Sequence, residues 1–511
     1  MTAIVHAESN SSIILDPEQE NAIRLMNSGN INVFLTGGGG TGKSKVLETF
    51  ISNYKKRFPT TWRQLLGITS TTGSSALLIG GTTIHSFSGI GVSRTDDDVL
   101  IERLAKRRYL SKRWRELKTL IIDEVSMLTP RSFQLIYKLA QTIRKNTRPF
   151  GGVQIILSGD FCQLAPILEQ HISNHTMEYC FEAPEWSASE IHTVYFKKIH
   201  RQTDMEFISA LQKIRMGISD QDTTSLLMQQ FRKNIENPYG IMPVQLFPTR
   251  DSANEVNQKH FMDLSKTNEI NTFSMKIDIS MRTDMTDDDK SSTTAASSES
   301  NDIKIHRAKS QLPIDDSIDL CIGCQVILVI NLSIEDGLIN GSKGKIEHFN
   351  ENGEPVIMFS NGVRRAITLH EWEIEDGPHI IKAYGLPVIL GYGCTIHRSQ
   401  GMSIDLAIID IGRSIFKGAG GYGQIYVALS RVRTLHGLSI LNFDPSRIKC
   451  HPKVIEFYRR IDELSVKLSP ELPGSKSHTT STLTPRPTLV SSSSSKSSKS
   501  TILNYFTTLT A

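Results

Sequence analysis

An α/β fold built on parallel sheets is what this sequence predicts, on three observations. Apolar, strand-like runs alternate with helical stretches from about residue 16 to residue 195. Each clear run ends in glycine or polar residues, where ligands of such sheets collect. The same alternation resumes late in the chain, after a stretch of short β-branched runs separated by Asn-Gly turns.

Length and composition bound the rest. The 511 residues are enough for about three units at roughly 150 residues each. A composition of 39% hydrophobic, 22% charged and 7% aromatic residues excludes a wholly disordered, collagenous or coiled-coil chain. Fifty-seven Lys and Arg against 53 Asp and Glu leave a net charge of +4, too weak to identify a polyanionic partner, so any nucleic-acid surface must be local. Of six cysteines only Cys321 and Cys324 are closely spaced, which makes neither a disulfide framework nor a zinc site and points to a reducing compartment. No apolar run approaches the roughly 18 residues of a membrane span. The first fifteen residues hold no Lys or Arg but do hold Glu8, which argues against a secretion signal or mitochondrial presequence. The expected setting is therefore the nucleus, with a cytosolic or viral one open.

In chain order, residues 1–15 read as a disordered polar tail. Strands are expected at 31–35, 65–69, 120–122 and 153–157, forming a first unit over 16–195. A second α/β region is expected from near Val194 to 468, with a strand at 244–248. Within it, the acidic and Ser/Thr-rich stretch 281–301 buries too little apolar surface to order itself. The runs between Gln325 and Trp372, turning at Asn340-Gly341, Asn352-Gly353 and Asn361-Gly362, predict a small antiparallel barrel or sandwich at about 340–385. Residues 469–511 form a Ser/Thr/Pro/Lys-rich disordered tether that turns apolar at its end, as TILNYFTTL.

The chemistry starts at GGGGTGKS. Gly37, Gly38, Gly39, Gly40, Thr41, Gly42, Lys43 and Ser44 complete a G-x-x-x-x-G-K-[ST] motif between a strand-like INVFL and a helix-like SKVLETF. Glycines let the backbone wrap phosphates with its N–H groups turned inward, Lys43 reaches the β/γ-phosphates, and Ser44 is placed to bind Mg²⁺. LIIDEVSML puts Asp123 and Glu124 at the end of a buried strand, where carboxylates need a cation. Asp123 would hold Mg²⁺ and Glu124 would orient and polarise an attacking water. Asp160 and Gln163 end another strand and could sense a γ-phosphate. Arg201 and Arg431 lie far downstream; by spacing alone they read as solvated surface groups, yet they could supply the cations that transition-state charge on a phosphoryl group requires.

In this order and context, the motifs resemble those of superfamily-one helicases, and most closely the Pif family of DNA helicases, relatives of the RecD-like motors. The resemblance covers about Asp16 to Leu441. It is carried by LDPEQENAI, TSTTGSSALLIGGTTIHSFSGIG, LAQTIRKNTRPFGGVQIILSGDFCQLAPI, FPTRDSANEVN, INGSKGKI, GYGCTIHRSQGMSID and GYGQIYVALSRVRTLHGL. It implies two RecA-like motor lobes with a small inserted β-barrel, and ATP and Mg²⁺ as cofactors. Lys43, Asp123, Glu124, Gln163, Arg201 and Arg431 would form the nucleotide site, with Gln19 resembling the family's adenine-reading glutamine. Thr71, His85, Phe87, His397 and Gln400 would lie toward the DNA track or couple it to ATP. Read without the family, His85 and His397 are equally structural histidines and Phe87 a core residue. The chain departs from the family at Gly39, usually Ala, at His200, usually Phe, and at Gly391-Tyr392-Gly393, usually an Ala-Trp-Ala-like run.

The resemblance also implies a 5′→3′ polarity, a wedge-bearing subdomain at about 88–117, and work in replication, repair, recombination or telomere maintenance. The basic run 103–118 fits DNA contact, a solvated helix face or a nuclear-import signal. In the tail, Ile502, Tyr505 and Phe506 have the i, i+3, i+4 spacing of one helical face and resemble a sliding-clamp-binding peptide, or are a chance apolar end. The expectation is an ATP-dependent DNA helicase, monomeric in solution, acting on single-stranded and forked DNA. A protein-displacing translocase and a clamp-bound recruitment factor with a vestigial ATPase are the alternatives.

Overall fold

A computed structural model describes residues 15–91, 96–166, 177–281, 301–377, 379–412 and 421–468. Residues 1–14, most of 281–301 and the tether with Ile502, Tyr505 and Phe506 lie outside them. Six strands form the first sheet: β1 (Val33–Gly37), β2 (Leu66–Ser70), β3 (Thr82–Thr83), β4 (Thr119–Asp123), β5 (Gln154–Gly159) and β6 (His192–Phe196), in the spatial order β3-β2-β4-β5-β1-β6. All of its pairings are parallel. Its strands alternate faces, so Phe34, Leu120, Ile122, Ile155 and Leu157 enter one buried cluster, and Val33, Leu35, Ile68, Ile121 and Ile156 another. Helices on both faces bury these side chains, each worth roughly 1.5–3 kcal/mol.

The first sheet takes in a sixth strand near residue 195. Val194 does not open a second region: β6 pairs with β1 in register Leu35 to Val194, making it the sixth strand of the first sheet. The chain also returns there at its end. Val454 and Tyr458 of the helix Pro452–Leu468 are buried in the first sheet's cluster, and the Phe457 ring stands 6.2 Å from Phe34. The span 196–468 is therefore not one continuous second unit.

Past Phe196 follow β7 (Val244–Phe247), β8 (Asn271–Ser274), β9 (Lys276–Met281), β10 (Ser317–Leu320), β11 (Gln325–Leu328), β12 (Lys343–Phe349), β13 (Pro355–Phe359), β14 (Arg364–Ala366), β15 (His370–Asp376), β16 (His379–Gly385), β17 (Val388–Leu390), β18 (Gly393–Thr395), β19 (Ala407–Ile411) and β20 (Leu438–Phe443). A second parallel sheet runs β18-β7-β19-β20. The antiparallel strands between do not close into one barrel. They form a five-stranded sheet, β14-β13-β12-β11-β17, a two-stranded one, β10-β8, and a three-stranded one, β15-β16-β9, because β16 takes β9 from before residue 282 as its second neighbour. The Asn-Gly turns lie where the sequence puts them, joining β12 to β13 at Gly353 and β13 to β14 at Gly362. Among the described residues no helix is long and apolar enough to cross a membrane.

Candidate active site

The C-terminal ends of β1, β2, β4 and β5 converge on one place. After β1 the glycine loop leads into the helix Lys43–Arg57, whose N-cap Gly42 sits at φ 85°, a left-handed conformation that favours glycine. Lys43 Nζ donates to the carbonyls of Gly37 (2.8 Å) and Gly38 (3.0 Å), folding back over its own loop. Burial pulls this ammonium below its ordinary pKa, while Asp160, Glu124 and Asp123 act against that fall. Ser44 lies exposed in the first turn of the same helix.

Gln19 is placed by its own helix start. Its backbone N–H donates to the Asp16 carboxylate and its side-chain oxygen accepts from the Asp16 backbone, a reciprocal cap. Its amide nitrogen then reaches the Thr41 carbonyl at 3.3 Å. His200, where the family usually has Phe, lies 3.1 Å from the Asp16 carboxylate and 3.4 Å from the Gln19 amide, polar contacts that a phenyl ring would forfeit.

Asp123 closes β4, and burial raises its carboxyl above the usual range. Glu124 follows at φ 52°, a left-handed position that costs a non-glycine residue about 1–3 kcal/mol. Its carbonyl is held by Met127 N–H and by the Thr71 hydroxyl, which donates at 2.9 Å. Burial first, then Asp123, push the Glu124 carboxyl up to about 7 against the pull of Lys43, Arg431 and the Gln400 hydrogen bond. Gln400 Nε2 donates to that carboxylate at 2.8 Å.

Two arginines reach the loop from beyond the first sheet. Arg201 packs so close to Gly40 that an added Cβ there would stand 2.5 Å from Arg201 Cβ. Arg431 ends the helix Gln424–Arg431, and a Cβ on Gly39 would meet its Nη2 at 3.1 Å and Ser430 Oγ at 3.2 Å. An Ala here, as the family usually has, would require Arg431 or Ser430 to shift by a few tenths of an ångström. Arg201 donates to Ser430 O, and Arg431 to Val427 O and Ser430 Oγ. Neither makes an ion pair among the described residues. Burial lowers both, Arg201 to about 9, with Arg431 the second cause there.

Asp160, one residue past β5, is built differently. Arg215 grips it with Nη2 at 2.7 Å and Nε at 3.0 Å, Tyr458 Oη donates at 3.0 Å, and Cys162 N–H adds a fourth bond. Although burial alone would raise this carboxyl, Arg215 holds it below its usual range. Gln163 is buried beside it, its amide 3.5 Å from Asp160. Sequence reasoning missed Arg215, Tyr458 and Tyr426, whose hydroxyl accepts from Gly39 N–H at 2.7 Å. GYGQIYVALSRVR contains Tyr426, but nothing local to Arg215 or Tyr458 announces a partner 55 or 298 positions away.

The residues expected on a DNA track do not all gather. Thr71 and Gln400 touch Glu124 as described. His85 is half-buried, 3.4 Å from Ser132 Oγ, with burial lowering its pKa; His397 is exposed. Phe87 is packed in the core, 6% exposed, its ring edge-on to Trp114 at 5.9 Å. Tyr392 is likewise buried, stacked on His260 at 4.3 Å. In the basic run, the helix Arg108–Glu116 buries Leu110 and Trp114.

The PIF1-like helicase family model matches residues 14–225. The chain is 33% identical over 454 residues to the ATP-dependent DNA helicase PIF1 of Xenopus laevis, covering 88% of this chain and 65% of that protein. It therefore spans just under two thirds of that relative's length. It is 30% identical to uncharacterized protein 030L of Invertebrate iridescent virus 6, across 90% of this chain and 97% of the viral one. A crystal structure of Bacteroides sp Pif1 in complex with ADP-AlF4 is similar with a TM-score of 0.70 and 25% identity, covering 88% of this chain and 98% of that one.

Proposed function

Because the chain belongs to the PIF1-like helicase family, we propose that it is an ATP-driven motor that travels 5′→3′ on single-stranded DNA and unwinds duplex or structured DNA. The observation that carries this reading is the approach of Arg201 and Arg431 to Gly40 and Gly39. A loop that only held a nucleotide would not need one buried and one half-buried guanidinium group, left without carboxylates among the described residues, at its glycines.

The residues fit the ligand. Loop N–H groups and Lys43 take the phosphates, Gln19 lies beside Thr41 for the base, and the buried Asp123 with the Ser44 hydroxyl would hold Mg²⁺, which supplies charge neutralisation at the phosphate oxygens. Glu124, with a pKa near neutrality, orients the water and accepts its proton. Gln163 reports on the γ-phosphate, and the two arginines offset the charge that develops there. Thr71 and Gln400 join this machinery to the DNA track that His397 would border. Each base-pair step opened costs about 1.4 kcal/mol, well within one nucleotide turnover.

The matching substrate is single-stranded and forked DNA, and the setting nuclear replication, repair, recombination or telomere maintenance, with the protein monomeric in solution. Ile502, Tyr505 and Phe506 would tether it to a sliding clamp. The deciding experiment is unwinding of forked duplexes with a 5′ or a 3′ tail. The 5′-tailed fork should open with ATP and Mg²⁺, and Lys43→Ala should abolish both unwinding and DNA-stimulated ATP hydrolysis. Unwinding that persists in Lys43→Ala would refute the reading.

A further inference from the structure

The three-stranded sheet presents an acidic edge to the six-stranded one. On β15 the side chains alternate: Trp372, Ile374 and Asp376 are buried, while Glu371, Glu373 and Glu375 share the other face. Glu371 is tied to Lys382 of β16 at 2.7 Å. The other two reach across: Arg63 lies 3.3 Å from Glu373 and 3.8 Å from Glu375, and Arg113 lies 3.3 Å from Glu375. The hydroxyls of Thr82 and Ser86 also donate to the Glu375 carbonyl. Beneath the contact is a cavity of about 340 Å³ lined by Lys55, Trp62, Arg63, Arg113, Glu373 and Glu375 among others.

This cation set is pre-arranged. Arg113 is only 11% exposed, with its guanidinium over the rings of Phe87 and Tyr109 and bonded to the Phe87 carbonyl. Lys55 and Arg63 both lie over the Trp62 ring, at 4.4 and 4.8 Å. Cations around an indole face are what a single strand needs, phosphates to the charges and a base to the ring. The carboxylates that meet them are two residues apart on an extended strand, about 6.7 Å, close to the spacing of neighbouring phosphates in an extended nucleic acid. β15 also contacts Thr82 and Ser86, which flank His85 in one of the segments that carry the family resemblance.

We propose that Lys55, Arg63, Arg113 and the face of Trp62 form a single-stranded-DNA site, and that Glu373 and Glu375 of β15 occupy it as phosphate mimics until the nucleic acid displaces them. The inference rests on the motor reading. The Arg63 pairs, half-exposed on the arginine side, are weak and exchange readily. The shielded Arg113 needs an anion at all times, so β15 leaves most easily when a phosphate arrives.

The test measures binding of a fluorescent oligothymidylate to the full chain by anisotropy, across a salt series. Glu373→Gln/Glu375→Gln should bind about fivefold tighter, since the contacts of these carboxylates with Arg63 and Arg113 no longer have to be broken. Adding Arg63→Gln to that variant should erase most of the gain and make the log–log salt slope shallower by about 0.7, the value for one phosphate on a single strand. Unchanged or weaker binding by the double variant, with an unaltered thermal midpoint, would overturn the proposal, as would a gain indifferent to Arg63→Gln. Inorganic phosphate at matched ionic strength should not displace the oligonucleotide; if it does, the site takes a free anion and the assignment to a strand fails. Failure of the wild type to bind the oligonucleotide at all would instead sink the motor reading.

Discussion

Two neighbouring strands end in buried carboxylates with opposite fates. At the end of β4, Asp123 and Glu124 face Lys43 without an ion pair among the described residues, and burial raises both. Just past β5, Asp160 is saturated by Arg215, Tyr458 and a backbone N–H, and is held low. The arginines divide the same way: among the described residues Arg201 and Arg431 bond to carbonyl and hydroxyl oxygens, whereas Arg215 has its carboxylate. Matched charges make a clamp that fastens the strand end to two distant helices. Unmatched charges of both signs, buried or half-buried together, make a place that is complete only with a polyanion and its cation.

The sharpest way to break this contrast is Arg431→Ala. If its guanidinium awaits phosphoryl charge, DNA-stimulated ATP hydrolysis should fall about 10³-fold or more, with a much smaller change in thermal midpoint. Loss of stability in proportion to activity would make Arg431 another clamp. Glu124→Gln comes next, at about 10²–10⁴-fold in kcat, with nucleotide binding retained in equilibrium titration. A variant that still hydrolyses ATP at the parental rate would remove Glu124 from the chemistry.

On the clamp side the sign reverses. Asp160→Asn leaves Arg215 as a buried, unpaired charge and should cost about 3–5 kcal/mol of unfolding free energy in a denaturant titration. Asp123→Asn relieves a buried carboxylate that burial already disfavours, so it should cost far less stability while ATP hydrolysis collapses. Equal stability losses in the two variants would erase the distinction.

What could be read from the sequence follows the same divide. GGGGTGKS and LIIDEV announce themselves because a phosphate cradle and a strand-end carboxylate pair are local patterns, and the four expected strands were placed within two residues of their observed starts. The clamp was illegible because its members, Asp160, Arg215 and Tyr458, are joined only by folding. Strand membership failed for the same reason. Nothing in HTVYF says that its neighbour is β1, and nothing in β16 says that β9 will be chosen over a barrel-closing partner. Phe87 went the other way: a family position suggested nucleic acid, while Trp114, which takes its ring into the core, lies 27 positions on and outside the motif.

The smallest expected effect tests the seam between the halves of the contrast. Gln400 reaches the Glu124 carboxylate with a single 2.8 Å hydrogen bond, from a segment that precedes β19 of the second parallel sheet. A hydrogen bond to a charged group contributes about 1.5–3 kcal/mol, and it favours the ionised form that can accept a proton. If the second sheet reports DNA occupancy through this contact, Gln400→Ala should reduce the stimulation of ATP hydrolysis by single-stranded DNA by about 5- to 150-fold, the range of a 1–3 kcal/mol coupling. Thr71→Val removes the hydroxyl that holds the Glu124 carbonyl from the first sheet. It should lower hydrolysis with and without DNA by the same factor, since it supports the strained backbone and not the link. If the two variants behaved alike, Gln400 would merely position Glu124, and the signal from DNA would have to enter through Arg201 or Arg431.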